Sequence, residues 1–131
     1  MSVQVRIVTP EREVWAGEAS MVVARGVEGE VGILGGHAPM LIRLGVGPLR
    51  ILRDEGPVEA VVDGGFLHVT SEGESTRIDV LASRAELGSE VDLDAARSAK
   101  AEMERRLGED RDDAEAIEEL ARANARIGLR S

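Results

Sequence analysis

Two acids and a histidine stand close together in a glycine-rich segment over residues 26–41, and their side chains are the ones best suited to chemistry. Glu28 and Glu30 occupy alternate positions, which puts both carboxylates on one side of an extended chain, as a general acid and base need. His37 adds a group that titrates near neutral pH. Acids flanked by glycine are more often solvated or matched to a partner's polar surface. A histidine two residues before Pro39 fits a turn or a partner contact better than a catalytic base.

The glycines of this segment do not form a known phosphate-binding loop. A P-loop needs Lys and then Ser or Thr after its last glycine, and here Gly36 is followed by His37. A second pair, Gly45 and Gly47, begins like a dinucleotide-binding fingerprint, but Arg50 replaces its third glycine. The sequence therefore predicts neither kind of nucleotide loop.

Other catalytic and metal chemistries lack their residues. The chain has no cysteine, which excludes disulfides, thiolate metal sites and a cysteine nucleophile. His37 and His68 do not have the HExxH spacing of a zinc site, and a GxSxG nucleophile elbow is absent. We expect no metal site and no required cofactor.

Composition indicates a protein whose partners are proteins. Of its 131 residues, 43% are hydrophobic and 2% aromatic, so we expect one domain, or a domain with an appendage, around an aliphatic core. A net charge of −9 argues against a nucleic-acid partner, because little positive charge remains to neutralise phosphates. The first residues lack a signal-peptide pattern, and no apolar run approaches the ~20 residues that cross a bilayer. We expect membrane association only through a protein partner.

The elements that must position these residues begin with strands. Up to about residue 82, apolar residues alternate with polar ones, and turn residues recur about every 8–12 positions. This period is typical of short strands with one buried face, as in an antiparallel sandwich or barrel. The clearest hairpin is predicted over residues 58–70, where Asp63, Gly64 and Gly65 supply a turn with positive φ.

Helical periodicity replaces the strands after residue 88. Asp92 or Asp94 is expected to cap a first helix that ends at Gly108. A turn over residues 110–113 leads into a second helix that ends just before Gly128. The predicted apolar stripes are Leu93, Ala96, Ala99, Met103 and Leu107 on the first helix, and Ile117, Leu120, Ala121, Ala125 and Ile127 on the second.

The predicted fold is mainly β with an α appendage: an N-terminal antiparallel β-sandwich over residues 1–86, followed by a C-terminal antiparallel helical hairpin over residues 90–131. The inward positions of the hairpin are mostly alanine, which contributes much less than the ~1.5–3 kcal/mol of a buried Leu or Ile. We therefore predict that the hairpin docks weakly and can detach. The alternative is a static helical cap on the sandwich.

The arginines of the hairpin allow two interpretations. The usual one is a solvated face with ion pairs one turn apart, such as Glu118 with Arg122. The other is a site for an acidic protein or a nucleotide phosphate. Arg122 and Arg126 lie one turn apart and project together, as a bidentate anion site requires.

Four segments of the chain form a recognisable combination. They are Glu28-Gly29-Glu30, Gly32-Ile33-Leu34, Gly36-His37, Pro39 and Leu41 in the glycine-rich segment, Val8-Thr9-Pro10 before it, and Gly64-Gly65-Phe66-Leu67-His68-Val69 and Leu93-Asp94-Ala95-Ala96-Arg97 after it. The glycine-rich segment resembles the signature of the epsilon subunit of F-type rotary ATP synthases, and the other segments fall where that family has similar ones. The resemblance covers nearly the whole chain, and a β-sandwich followed by a helical hairpin is also that family's architecture.

This resemblance implies a non-catalytic subunit of the central stalk. Such a subunit links gamma to the c ring, couples proton translocation to ATP synthesis and restrains ATP hydrolysis through its hairpin. Glu28, Gly29 and Glu30 would face the c ring, while His37 and Pro39 would lie against gamma. The chain would sit on the cytoplasmic side of the cell membrane, held there by the complex. The candidates for a conditional contact with beta are Arg105, Arg106, Arg122 and Arg126.

The resemblance also implies a regulatory ligand. Some members of the family bind ATP in the folded hairpin through an Ile/Leu-Asp-x-x-Arg-Ala motif and arginines of the second helix. ATP would then be a regulator and not a required cofactor. The residues that match by type are Leu93, Asp94, Arg97, Arg122 and Arg126, whereas Ser98 replaces the final alanine of the motif.

Two functions from other classes compete with this one. The first is a free-standing ligand-binding β-sandwich with the hairpin as its lid. The second is a small enzyme that uses Glu28, Glu30 and His37. A rotor subunit is expected to co-purify with gamma, whereas the other two would behave alone.

Overall fold

The computed structural model describes residues 2–130, so residues 1 and 131, the outer bounds of the two predicted domains, lie outside the described part. Strands come first along the chain and helices follow. The strands are β1 (Val3–Val8), β2 (Glu13–Ala19), β3 (Met21–Gly26), β4 (Gly29–Leu34), β5 (Met40–Leu52), β6 (Val58–Asp63), β7 (Phe66–Glu72), β8 (Ser75–Leu81) and β9 (Arg84–Leu87). A 3₁₀ turn (Gly88–Glu90) leads to helices α1 (Leu93–Glu109) and α2 (Ala114–Arg130).

Two sheets share strand β5. Its first part, residues 40–43, pairs with β7 in a sheet ordered β2-β1-β8-β7-β5. Residues 44–52 pair with β3 and β6 in a second sheet ordered β4-β3-β5-β6-β9. The predicted fold class is confirmed, with one departure: β1 and β8 run parallel. These two neighbouring strands lie far apart in the sequence, so no short connection forces them to be antiparallel.

The hairpin predicted over residues 58–70 is wrong. Strand β6 pairs with β5 and β9 in the second sheet, whereas β7 pairs with β5 and β8 in the first. Gly64 and Gly65 have positive φ, at 67° and 101°, but they carry the chain from one sheet to the other. A Cβ at Gly65 would collide with the carbonyl oxygen of Leu81, so this crossing requires glycine.

The core lies between the two sheets and is aliphatic, as the alternation predicts. Its members, among the described residues, all fall between Val3 and Leu87, so the helices add nothing to it. The interior is filled by aliphatic side chains. The largest fully buried side chains are Ile7, Ile33, Leu49, Ile51, Leu67 and Ile78.

Both helices begin at aspartate caps. Asp92 caps α1 and Asp113 caps α2, each accepting the backbone N–H three residues further on at 3.0 Å. The predicted helix ends are wrong, because Gly108 and Gly128 lie inside α1 and α2 and neither takes the positive φ of a terminating glycine. No helix in residues 2–130 has the length and apolar character needed to cross a membrane.

Helix α2 packs against α1 on one side and against β5 and β6 on the other. The residues that it buries are Ala116, Arg122 and Ala123, whereas Ile117 is 50% exposed and Ala121 is exposed. The predicted inward positions Ile117 and Ala121 are therefore wrong. Small side chains occupy the inner face because α2 lies close to two neighbours at once.

Candidate partner-binding surfaces

The acidic residues of the glycine-rich segment lie on the β3–β4 hairpin. Its turn closes at Gly29, whose φ is 134°. The backbone N–H of Val27 donates to the carbonyl of Arg43 at 3.0 Å, which fixes the turn beside β5. Val27 is 61% exposed, and Glu28 and Glu30 are exposed too. The turn thus presents one apolar side chain and two carboxylates to solvent.

His37 belongs to a different turn, between β4 and β5. Its backbone N–H donates to the carbonyl of Leu34 at 3.2 Å. Its Nδ1 lies 2.7 Å from the carbonyl oxygen of Ala38, so this nitrogen acts as the donor. The N–H of Gly36, whose φ is 86°, donates to the hydroxyl of buried Thr76 at 2.8 Å. The histidine therefore helps to anchor a turn that is tied to β8.

The structure does not assemble Glu28, Glu30 and His37 into a catalytic group. Over residues 2–130 it records no hydrogen bond or ion pair that joins any two of them. The same described residues contain no group of three or more His, Asp or Glu side chains suited to a metal ion. Pro39 is exposed beside the histidine turn. Both turns suit contact with a partner better than catalysis.

An exposed apolar surface, which the sequence patterns did not indicate, lies on the outer face of the first sheet. Phe66 lies opposite Leu81 on one side and Arg43 on the other, and Leu41 lies opposite His68. We name Leu41, Phe66 and Leu81 the apolar stripe; they are 63%, 46% and 49% exposed. Outward positions of such a sheet are normally polar, so this cluster indicates a contact surface. His68 is exposed on the same face.

The apolar stripe adjoins the acidic turn. Arg43 accepts the hydrogen bond from Val27 through its carbonyl and lies directly opposite Phe66 on the neighbouring strand. One surface therefore runs from Glu28 across Arg43 to Leu81. The register of three strands, and not proximity in sequence, brings its parts together.

Arg122 is the main charged contact between α2 and the sandwich. Its side chain is 11% exposed. Its Nε donates to Asp63 at the end of β6, and its Nη1 donates to Glu119. The predicted pair with Glu118 is present, at 3.7 Å. The hydrogen bond to Asp63 raises the pKa of Arg122 above its ordinary value.

The residues predicted to bind ATP are not gathered into one site in this pose. Arg126 donates through Nε to Glu86 of β9 at 2.8 Å, so it faces the sandwich as Arg122 does. Asp94 and Arg97 are exposed on α1, and within the described chain the structure records no hydrogen bond or ion pair between them and the two arginines. Leu93 is half-buried at the start of α1. ATP phosphates would have to displace the carboxylates that already bind Arg122 and Arg126, so an ATP site stays a prediction.

The other two arginines predicted to meet beta also bind acids of the hairpin. Arg105, on the open face of α1, binds Glu102 and Glu109 of its own helix. Arg106 donates to both oxygens of Asp113, with Nη2 at 3.0 Å from Oδ1 and 2.8 Å from Oδ2. Of the four candidates, Arg105 is therefore the one already placed on solvent-facing surface.

Comparison with known proteins decides between these interpretations. Residues 2–88 match the family model described as "ATP synthase, Delta/Epsilon chain, beta-sandwich domain". The ATP synthase epsilon chain of Thermobifida fusca is 48% identical to this chain over 127 residues, which cover 94% of this chain and 88% of that protein. The chain belongs to the ATP synthase epsilon family. Membership confirms the resemblance and the prediction of a non-catalytic subunit.

Other epsilon chains are similar to this chain over alignments of different length. The epsilon chain of Synechococcus elongatus is 38% identical over 132 residues, covering 97% of this chain and 93% of the relative. That of Brevibacillus brevis is 41% identical over 107 residues, covering 80% and 77%. A chain in the structure of Euglena gracilis mitochondrial ATP synthase superposes with a TM-score of 0.80 at 21% identity, covering 99% of this chain and 82% of that one. This last likeness shows that the fold is shared.

Proposed function

We propose that this epsilon chain is a central-stalk rotor subunit that links gamma to the c ring. In this role it couples proton translocation to ATP synthesis and restrains ATP hydrolysis through its hairpin. The observation that carries the proposal is the continuous exposed surface from the acidic turn across Arg43 to the apolar stripe. In a chain that acted alone, the apolar side chains of this surface would stay exposed to water, which is unfavourable.

Gamma covers the apolar stripe and the histidine turn. Leu41, Phe66 and Leu81 are each about half exposed or more, and burying one large apolar side chain contributes ~1.5–3 kcal/mol. His37 and Pro39 lie in the loop that enters β5 just before Leu41, so one partner can reach both features. The apolar chemistry of the stripe suits a permanent interface between subunits.

The c ring meets the acidic turn. Glu28, Gly29 and Glu30 form an exposed, hydrogen-bonded hairpin end that needs no rearrangement to reach a partner. Carboxylates at such a place set register and association rate more than affinity. Attachment to the ring places the chain on the cytoplasmic side of the cell membrane as a peripheral component.

The hairpin contacts beta conditionally. Arg105 already faces solvent, whereas Arg122 and Arg126 are bound to Asp63 and Glu86 of the sandwich. Beta can therefore engage the whole arginine set only after α2 has left β5 and β6. This requirement makes the restraint on hydrolysis dependent on the pose of the hairpin.

Co-purification with gamma tests the proposal. Phe66→Glu places a charge within the apolar stripe, and Ile117→Glu is a matched control because Ile117 is a similarly exposed apolar residue on α2. We expect Phe66→Glu to reduce recovery of gamma at least about tenfold, since burying an unpaired charge is costly, and Ile117→Glu to leave recovery unchanged. Equal recovery of gamma with both variants would contradict the proposed interface.

A further inference from the structure

The contact between α2 and the sandwich carries charge where a docked helix usually carries large apolar side chains. The buried residues of α2 are two alanines, Ala116 and Ala123, and Arg122. Ile117 points away from the contact and is half exposed. Alanine burial contributes little, and the larger apolar side chains Leu120, Ile127 and Leu129 are only partly buried, so the ion pairs contribute a substantial part of the docking.

The two ion pairs differ in burial, but both join α2 to the second sheet. Arg122 and Asp63 are both largely buried, and Arg126 and Glu86 are each about one-third exposed. Each pair joins an arginine of α2 to an acid of the second sheet, on β6 and on β9. Asp63 ends β6, where it pairs with Arg84 of β9 just before the glycine crossing between the sheets.

We propose that these two pairs, Arg122–Asp63 and Arg126–Glu86, form a charge latch that holds α2 on the sandwich and opens as ionic strength rises. Salt screens the partly exposed Arg126–Glu86 pair most, whereas the largely buried Arg122–Asp63 pair is screened less. The latch goes beyond the proposed function, because it concerns the chain alone and does not depend on which partners bind.

Arg122 also has the partners that make opening reversible. Glu118 and Glu119 lie on its own helix and bind the same guanidinium. When α2 leaves the sandwich, Arg122 loses its contact with Asp63 and becomes solvated. Glu118 and Glu119 still bind its guanidinium.

Hydrogen exchange of the full chain tests the latch. Exchange of α2 amides is measured at about 0.02 M and about 0.5 M NaCl, between which screening lengths fall several-fold. We expect the protection of residues 114–130 to fall about twofold to fivefold over this range, the size of the contribution of one partly exposed ion pair. Amides of β7 and β8 serve as the internal reference and should not respond.

Charge-neutral variants separate the latch from a general salt effect. Asp63→Asn together with Glu86→Gln should lower α2 protection at low salt by a similar factor and remove most of the salt response. Arg105→Gln is the matched control, since Arg105 binds only acids of its own helix among the contacts described. It should leave both the protection of α2 and its salt response unchanged.

Trp15 supplies a second readout. It lines a surface hollow together with Leu129 near the end of α2, so its fluorescence reports departure of the helix. A salt-dependent change of emission in the unmodified chain, lost in Asp63→Asn with Glu86→Gln, supports the latch. Equal α2 protection at both salt concentrations, or an unchanged salt response in the double variant, overturns it.

Discussion

Arg106 in the last turn of α1 and Asp113 at the N-cap of α2 form a forked ion pair, with Nη2 donating to Oδ1 at 3.0 Å and Nε donating to Oδ2 at 3.1 Å. The same carboxylate accepts the backbone N–H of Ala116. One side chain therefore both starts α2 and ties it to α1. This contact does not involve the sandwich, so it remains available when α2 leaves β5 and β6.

Acid should loosen this junction. The N–H of Ala116, and then Arg106, hold the pKa of Asp113 below its ordinary value. Because its pKa is lower in the folded than in the unfolded chain, the ionised carboxylate contributes its full stabilisation at pH values above the unfolded pKa of about 3.9. This contribution is lost as the pH falls through the lower pKa of the folded state. Circular dichroism should show Asp113→Asn to be less stable than the unmodified chain at pH 7, with the difference closing at low pH. A difference that stays constant with pH would contradict this role of the charge.

The crossing between the sheets should not tolerate a side chain. Gly65→Ala places a Cβ against the carbonyl of Leu81 at a φ of 101°, so we expect a loss of at least about 2 kcal/mol in the free energy of unfolding. Gly73→Ala is the control, because it has positive φ but open space around its Cβ, and should cost about 1 kcal/mol. Urea denaturation measures both. Equal losses would show that the close approach to Leu81 does not matter.

The acidic turn should act in coupling and not in catalysis. Glu28→Ala with Glu30→Ala should lower proton-driven ATP synthesis by the assembly several-fold while leaving the thermal stability of the chain unchanged. Glu74→Ala, at the exposed turn of the β7–β8 hairpin, is the control and should have no effect. A normal rate of synthesis in the double variant would remove the turn from the interface.

ATP should compete with the carboxylates of the sandwich. If Arg122 and Arg126 take part in an ATP site, Asp63→Asn removes one of the carboxylates that bind Arg122 and should tighten binding relative to the unmodified chain. Titration calorimetry of the isolated chain measures this, with Arg105→Gln as the control that should bind as the unmodified chain does. Absence of heat at millimolar ATP in every variant would end the ATP prediction.

Local chemistry predicted the features that depend on neighbours in sequence. Asp92, one of the two caps predicted for α1, and Asp113, in the turn predicted over residues 110–113, cap helices because an aspartate accepts nearby backbone N–H groups wherever the helix later packs. Gly64 and Gly65 have the expected positive φ for the same reason. Which strand lies beside β6 is a long-range property, however, and the turn residues held no information about it.

For the candidate surfaces too, the sequence predicted local features but not contacts between distant residues. Glu28 and His37 lie on exposed turns, as their glycine neighbours indicated. The apolar stripe could have been noticed from Phe66 and Leu81, which take outward positions of alternating strands, but their adjacency needed the sheet register. The pair of Arg122 with Asp63 joins residues 59 positions apart, which helical spacing cannot reveal.

The rate of ATP hydrolysis by the whole ATP synthase, with this chain complete or ending at residue 88, tests the central claim most directly. The core of the sandwich lies within residues 3–87, so the shortened chain keeps the acidic turn, the histidine turn and the apolar stripe. We expect the shortened chain to assemble and the hydrolysis rate to rise, because the hairpin that restrains it is gone. An assembled enzyme whose hydrolysis rate stays the same or falls would contradict the restraint.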